Sequence, residues 1–151
     1  MTIDTDIVTI QKSKKIVIID DNELWLKTVS LWIKQFNEDV ELLTYSNPKG
    51  YLDKIEELNG SVDAVVIDYY LDDTIAPLVI EKIREKNKKV LIVAVSGGFL
   101  NDKQQLKTKE MKKAIHAGAN RASVKDFHSL EMILTSHFDV RDKGLVKVPA
   151  H

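Results

Sequence analysis

An Asp-Asp pair at positions 20 and 21, a third aspartate at 68, a serine at 96 and a lysine at 125 each close a short apolar run. The runs are Ile16-Val17-Ile18-Ile19, Ala64-Val65-Val66-Ile67, Val90-Leu91-Ile92-Val93-Ala94-Val95 and Ala122-Ser123-Val124. Each reads as a buried strand, and open parallel sheets bind ligands at the carboxyl ends of their strands. Side by side, the four runs bring three carboxylates, one hydroxyl and one ammonium to a single crevice. Three carboxylates at close range repel one another and are costly without a cation. Oxygen donors without His or Cys select a hard ion, Mg²⁺ first and Mn²⁺ as an alternative. An aspartate is also a competent nucleophile that forms an acyl phosphate. Phosphoryl transfer then rests on positioning and charge neutralisation. The metal neutralises one side and Lys125 the other, while the Ser96 hydroxyl donates to a phosphate oxygen. Gly97 and Gly98 let the backbone approach and offer amide donors.

The elements that must hold these residues alternate along the chain. Strands are expected over 15–20, 40–45, 63–68, 90–96 and 121–124. Helices are expected over 22–36, from Pro48 to the Asn59-Gly60 stop, and over 76–87, 102–117 and 128–138. Asn22 is placed to cap the first helix, and Pro48 suits a first helical position. Five βα units with continuous apolar strands argue for an α/β fold, a doubly wound five-stranded parallel sheet with helices on both faces. Right-handed crossovers leave few topologies. Strand order 2-1-3-4-5 puts its switch point between the first and third strands, where Asp20, Asp21 and Asp68 end their runs. The division is an extension over 1–14 with one alternating patch, Ile7-Val8-Thr9-Ile10, a domain over 15–138 and a polar tail over 139–151.

Composition narrows the function classes. A chain of 151 residues suits one domain with a real core, burying about 70% of its unfolded surface. The net charge of −1 gives no whole-chain field for nucleic acid or anionic lipid. There is no cysteine, hence no disulfide, thiolate nucleophile or Cys-based zinc site. No apolar run is long enough to span a bilayer, and Met1 to Lys15 lack a signal-peptide pattern. A soluble cytoplasmic protein without membrane or direct nucleic-acid contacts is expected.

The acid pair Asp20-Asp21, Asp68 after an apolar strand, Ser96 followed by a small residue, and Lys125 after Ala117-Gly118-Ala119 occur in that order at strand ends. Together they resemble the receiver domain of two-component response regulators. The resemblance implies a flavodoxin-like fold and Asp68 as phosphoacceptor, assisted by Ser96 and Lys125. It implies that Asp21 and Asp68 ligate Mg²⁺ with the main-chain carbonyl of Tyr70, while Asp20 acts mainly through water. It implies a histidine kinase or histidine phosphotransfer protein as donor, and a downstream protein partner that reads helix 4, strand 5 and helix 5. Such a protein is a signalling receiver, stand-alone or isolated, that catalyses only its own phosphoryl transfer and slow dephosphorylation. In the family, the residue two beyond the phosphoacceptor lies beside the path of the hydrolytic water. Here it is Tyr70, and Gly98, two after Ser96, brings no side chain to orient that water.

The chain departs from the family pattern at several positions. Asp126 follows Lys125, where receivers usually carry a cis-linked proline. Asp72 and Ala76 replace a usual proline and glycine, and Ala122 replaces a strand-5 aromatic. The departures support a rival, a degenerate receiver that signals by binding alone; the intact acid set opposes it. A second rival is an aspartyl-phosphate Mg²⁺ phosphohydrolase, but such enzymes usually carry an aspartate where this chain has Tyr70. Asp72-Asp73 reads as loop or N-cap. His116, His128, His137 and His151 have no metal-ligand spacing. Lys103, Lys107, Lys109, Lys112 and Lys113 read as a solvated helix face, or as a surface for an acidic partner. Trp25, Val29, Trp32 and Phe36 form one helical stripe that packs against the sheet. Leu24, Leu31 and Ile33 widen that apolar surface, which suits docking of the donor or a homodimer.

Overall fold

Isoleucine and valine dominate the apolar runs, and their branched side chains pack well on a pleated surface covered on both sides. The computed structural model of the chain describes residues 14–36, 39–58, 60–97, 103 and 108–138. The strands are β1 (Lys15–Ile19), β2 (Glu41–Tyr45), β3 (Ala64–Asp68), β4 (Leu91–Ser96) and β5 (Arg121–Val124). They form one parallel sheet in the order β2-β1-β3-β4-β5, as expected. β3 and β4 are buried along their whole length, whereas β2, at the edge, is only partly covered.

Helices α1 (Glu23–Phe36), α2 (Pro48–Leu58), α3 (Ala76–Lys86), α4 (Thr108–Ala117) and α5 (Phe127–His137) alternate with the strands. Successive strand residues point to opposite faces, so the sheet carries two cores. Ile16, Ile18, Val66 and Val93 meet Val29 and Ile33 of α1 and Leu130 and Leu134 of α5. Val17, Ile19, Ile67 and Ile92 meet Tyr51 of α2, Ile80 and Ile83 of α3, and Ala114 of α4. Each fully buried Val, Leu or Ile among them contributes roughly 1.5–3 kcal/mol. Among the described residues no helix is long and apolar enough to cross a membrane.

Helix ends follow their local chemistry. Asn22 caps α1, its side-chain oxygen accepting the Trp25 N–H at 2.9 Å. Asn47 does the same for Gly50 of α2 at 3.3 Å. Beyond α2, Gly60 takes φ +89°, a left-handed conformation that glycine adopts without a Cβ penalty. α5 begins one residue before the expected start because Asp126 caps it, accepting the Ser129 N–H at 2.9 Å. No cis peptide occurs among the described residues, so Asp126 replaces the proline loop with a capped helix start. The helix expected over 102–117 is described from Thr108, and Lys103 lies in an exposed turn. Ile7 to Ile10, Gly98, Lys107 and the tail over 139–151 lie outside the described residues, as does the side chain of Phe36.

The amino-terminal rim of the sheet is laced by polar groups. Asp63 accepts the Lys15 N–H on its side chain at 2.8 Å, and its carbonyl accepts the Leu91 N–H at 3.2 Å. Arg84, from α3, donates to the carbonyls of Gly118, Asn87 and Val90 and to the Asn120 side chain, at 2.8–3.2 Å. Asn120 in turn accepts the Ile92 N–H at 2.8 Å.

Candidate functional site

The opposite rim carries the residues singled out by the sequence. Asp20 and Asp21 follow β1, Asp68 ends β3, Ser96 ends β4 and Lys125 follows β5. Register sets their level: Ile19 pairs with Ile67, Asp68 with Val95 and Ser96 with Val124. The Lys125 N–H donates to the Ser96 carbonyl at 3.3 Å, extending the β4–β5 ladder by one residue.

Carboxylate oxygens of Asp20, Asp21 and Asp68 all lie within 4.8 Å of one another. The Lys125 ammonium stands 2.7 Å from Asp20 Oδ2 and 3.7 Å from Asp68 Oδ2. The other Asp20 oxygen accepts the Asn22 N–H at 2.8 Å. One oxygen of this buried carboxylate thus accepts a hydrogen bond, and the other, without a hydrogen-bond partner among the described residues, is paired by charge with Lys125. Asp21 is half-buried, and Asp68 is 7% exposed. Burial pushes the Asp68 carboxyl up from 3.8 to about 7. The Asp20 charge adds to that rise, Lys125 offsets part of it, Asp21 adds a little, and the Tyr69 N–H opposes it. Three acids face one ammonium, so the crevice lacks positive charge. A set of close, hard oxygen donors with that deficit fits Mg²⁺.

Ser96 is buried at the floor of the rim. A Cβ on Gly97 would meet no heavy atom within 4 Å, so the glycine is not required there for space. Tyr70 lies two residues beyond Asp68 with its ring 42% exposed and edge-on to buried Tyr69 at 4.8 Å. Its backbone bridges to Ile75 across the β3–α3 turn.

Two features lay beyond the sequence reading. The first is an influence on Asp72, which is an exposed residue of the β3–α3 loop, as expected, and does not cap α3, whose N-cap is Ile75. The neighbouring Asp21 raises the pKa of its carboxyl. The second is aromatic. The Lys125 ammonium lies 5.1 Å from the centroid of Trp25. Trp25 and Trp32 are partly buried and pack against the core on that side of the sheet, as the stripe predicted, and each is also stacked on Phe127 of α5. Leu26, Val29 and Ile33 are the fully buried members of α1, so Ile33 belongs to the core and not to the exposed flank.

Comparison with known proteins bears on this geometry. Residues 16–136 match the response regulator receiver domain family. A response regulator receiver domain protein from Clostridium thermocellum superposes with a TM-score of 0.70 at 19% identity, covering 87% of this chain and 98% of its own. A CheY-like response regulator receiver domain protein from Methanospirillum hungatei gives 0.68 at 22% identity, with 86% and 97% covered. The beryllofluoride-activated NtrC4 receiver domain dimer gives 0.65 at 21% identity, with 80% and 91% covered. No curated protein matches the chain.

Proposed function

The chain belongs to the response regulator receiver domain family, and we propose that it takes a phosphoryl group from a phosphohistidine onto Asp68 in a Mg²⁺-dependent step. One observation carries this reading: three carboxylates with oxygens within 4.8 Å, and an ammonium in ion-pair reach of two of them. Asp21, Asp68 and the main-chain carbonyl of Tyr70 would hold the ion, with Asp20 acting through water because its own oxygens are already engaged. Bound Mg²⁺ supplies charge neutralisation for the carboxylates and for the transferring oxygens.

The ionised Asp68 carboxylate attacks phosphorus. A P–O bond forms as the P–N bond to the donor imidazole breaks, and the departing nitrogen keeps the electron pair. Lys125 needs only a small displacement from Asp20 to meet a phosphoryl oxygen, and the Ser96 hydroxyl donates to another. The transfer relies on these preset charges rather than on a general base. The phosphorylated protein signals through an altered surface read by a downstream protein. An activated relative is a dimer, so a second copy counts among the candidate readers.

The test is labelling. Incubation with Mg²⁺ and acetyl phosphate should add one phosphoryl mass to the protein, and Asp68→Asn or EDTA should abolish it. Undiminished labelling of Asp68→Asn, by intact mass, overturns the assignment.

A further inference from the structure

Lys125 is held by more than its carboxylates. Its ammonium lies over the Trp25 ring at 5.1 Å, inside the range of about 6 Å over which a cation is drawn to an aromatic face. The ring is not fixed by its own polar group. The indole N–H is buried and finds no hydrogen-bond partner among the described residues. What fixes it is stacking. Trp25 lies nearly parallel to Phe127, with centroids 5.1 Å apart and planes 11° apart. Phe127 stacks in turn on Trp32, at 5.0 Å and 23°. Trp25 and Trp32 are seven residues, two helical turns, apart on α1. Their rings hold Phe127 between α1 and α5.

The backbone makes this arrangement specific to Lys125. Asp126 caps α5 through its side chain, which fixes the direction of the chain between Lys125 and Phe127. Phe127 is thereby committed to the two tryptophans. Lys125, two residues earlier, brings its ammonium over the Trp25 ring and within ion-pair reach of Asp20 and Asp68.

We propose that Trp25 is a positioning residue for Lys125: its ring face, buttressed by Phe127 and Trp32, sets the ammonium at the place where the phosphoryl charge arrives. A lysine side chain has four rotatable bonds and reaches a defined point only when its surroundings restrict it. The carboxylates restrict its tip, and the indole restricts its approach. The ring acts through its face, so phenylalanine serves in its place and leucine does not. This role rests on the phosphoacceptor reading, and the two are separated by experiment.

The full chain is labelled with ¹³Cε-lysine, and the Lys125 resonance is assigned by its loss in Lys125→Arg. In the resting protein that resonance should lie upfield of the other lysines through the ring current of Trp25. Trp25→Phe should keep an upfield shift, and Trp25→Leu should abolish it. Initial rates of labelling by acetyl phosphate, followed by intact mass, should fall about 3- to 10-fold in Trp25→Leu. Trp25→Phe should restore most of the rate. Circular dichroism confirms that each variant is folded, and Trp25→Phe decides the matter should Trp25→Leu unfold. An unshifted Lys125 resonance overturns the positioning role, as does a folded Trp25→Leu or a Trp25→Phe that breaks the predicted pattern; in each case Asp68 labelling stands. A wild type that takes no phosphoryl group overturns the phosphoacceptor reading and the purpose of the positioning with it, whatever the resonance shows.

Discussion

Asp68 pays for its position with its charge. The carboxyl titrates near 7 against 3.8 outside the fold, chiefly because it is buried and secondly because Asp20 is beside it. A folded pKa above the unfolded one means that the native state prefers the proton. That preference adds stability in full below 3.8, and the gain is lost as pH rises through about 7. Without Mg²⁺, Asp68→Asn should therefore gain on the wild type between pH 4 and 7, by on the order of 3 kcal/mol in urea unfolding. A constant difference across that range would refute the burial argument. Tyr70 bears on the other end of the reaction. The residue is 42% exposed and lies two beyond Asp68, at the position that borders the hydrolytic water in the family. The ring should hinder that water, and loss of the phosphoryl group should be slow. Tyr70→Asn should speed decay several-fold, on the order of 1 kcal/mol in the barrier. Phosphorylated protein followed on a Phos-tag gel after donor removal gives the comparison, and equal rates for the two proteins would end the argument.

At the scale of elements, α5 depends on the residue that departs from the family pattern. Asp126 accepts the Ser129 N–H at 2.9 Å and the Ser129 hydroxyl at 2.7 Å. Both bonds hold its carboxyl below the usual range. Asp126→Ala should cost about 1 kcal/mol, read as a lower urea midpoint with an unchanged slope, while Asp126→Asn should retain most of the stability. Strands were the most legible elements, because a strand buried on both faces writes an unbroken apolar run, as Ala64 to Ile67 does. The exits of those strands were legible for the same reason, since a charged residue after such a run marks where the chain leaves the sheet. Three things were not. Helical spacing says that Trp25, Val29 and Trp32 share a side of α1, but not that Phe127 of α5 stacks on both tryptophans while Val29 is fully buried in the core. The influence of Asp21 on the Asp72 carboxyl depends on the path of the β3–α3 turn, which spacing does not encode. The cap at Asp126 was readable from its type and was obscured by the missing proline.

For the molecule as a whole, a cation held at the acid cluster would stabilise only the folded state. At ten times its Kd, Mg²⁺ should stabilise the domain by roughly 1.4 kcal/mol, or about 3–6 °C in Tm. Asp68→Asn should raise the metal-free Tm and shrink that increment. A calorimetric scan without any Mg²⁺ effect on the wild type would count against the site. The two rims of the sheet differ in kind. One is laced by Asp63, Arg84 and Asn120 through bonds of 2.8–3.2 Å; the other carries Asp20, Asp21, Asp68 and Lys125. Gly118 is the keystone of the laced rim: at φ +128° it lets its carbonyl meet Arg84, and any side chain there would strike the arginine stem at 2.7 Å. A side chain at 118 would therefore push Arg84 off the carbonyls and the Asn120 side chain that it ties together, unfastening α3 from the entries to β4 and β5 while leaving the charges at the opposite rim in place.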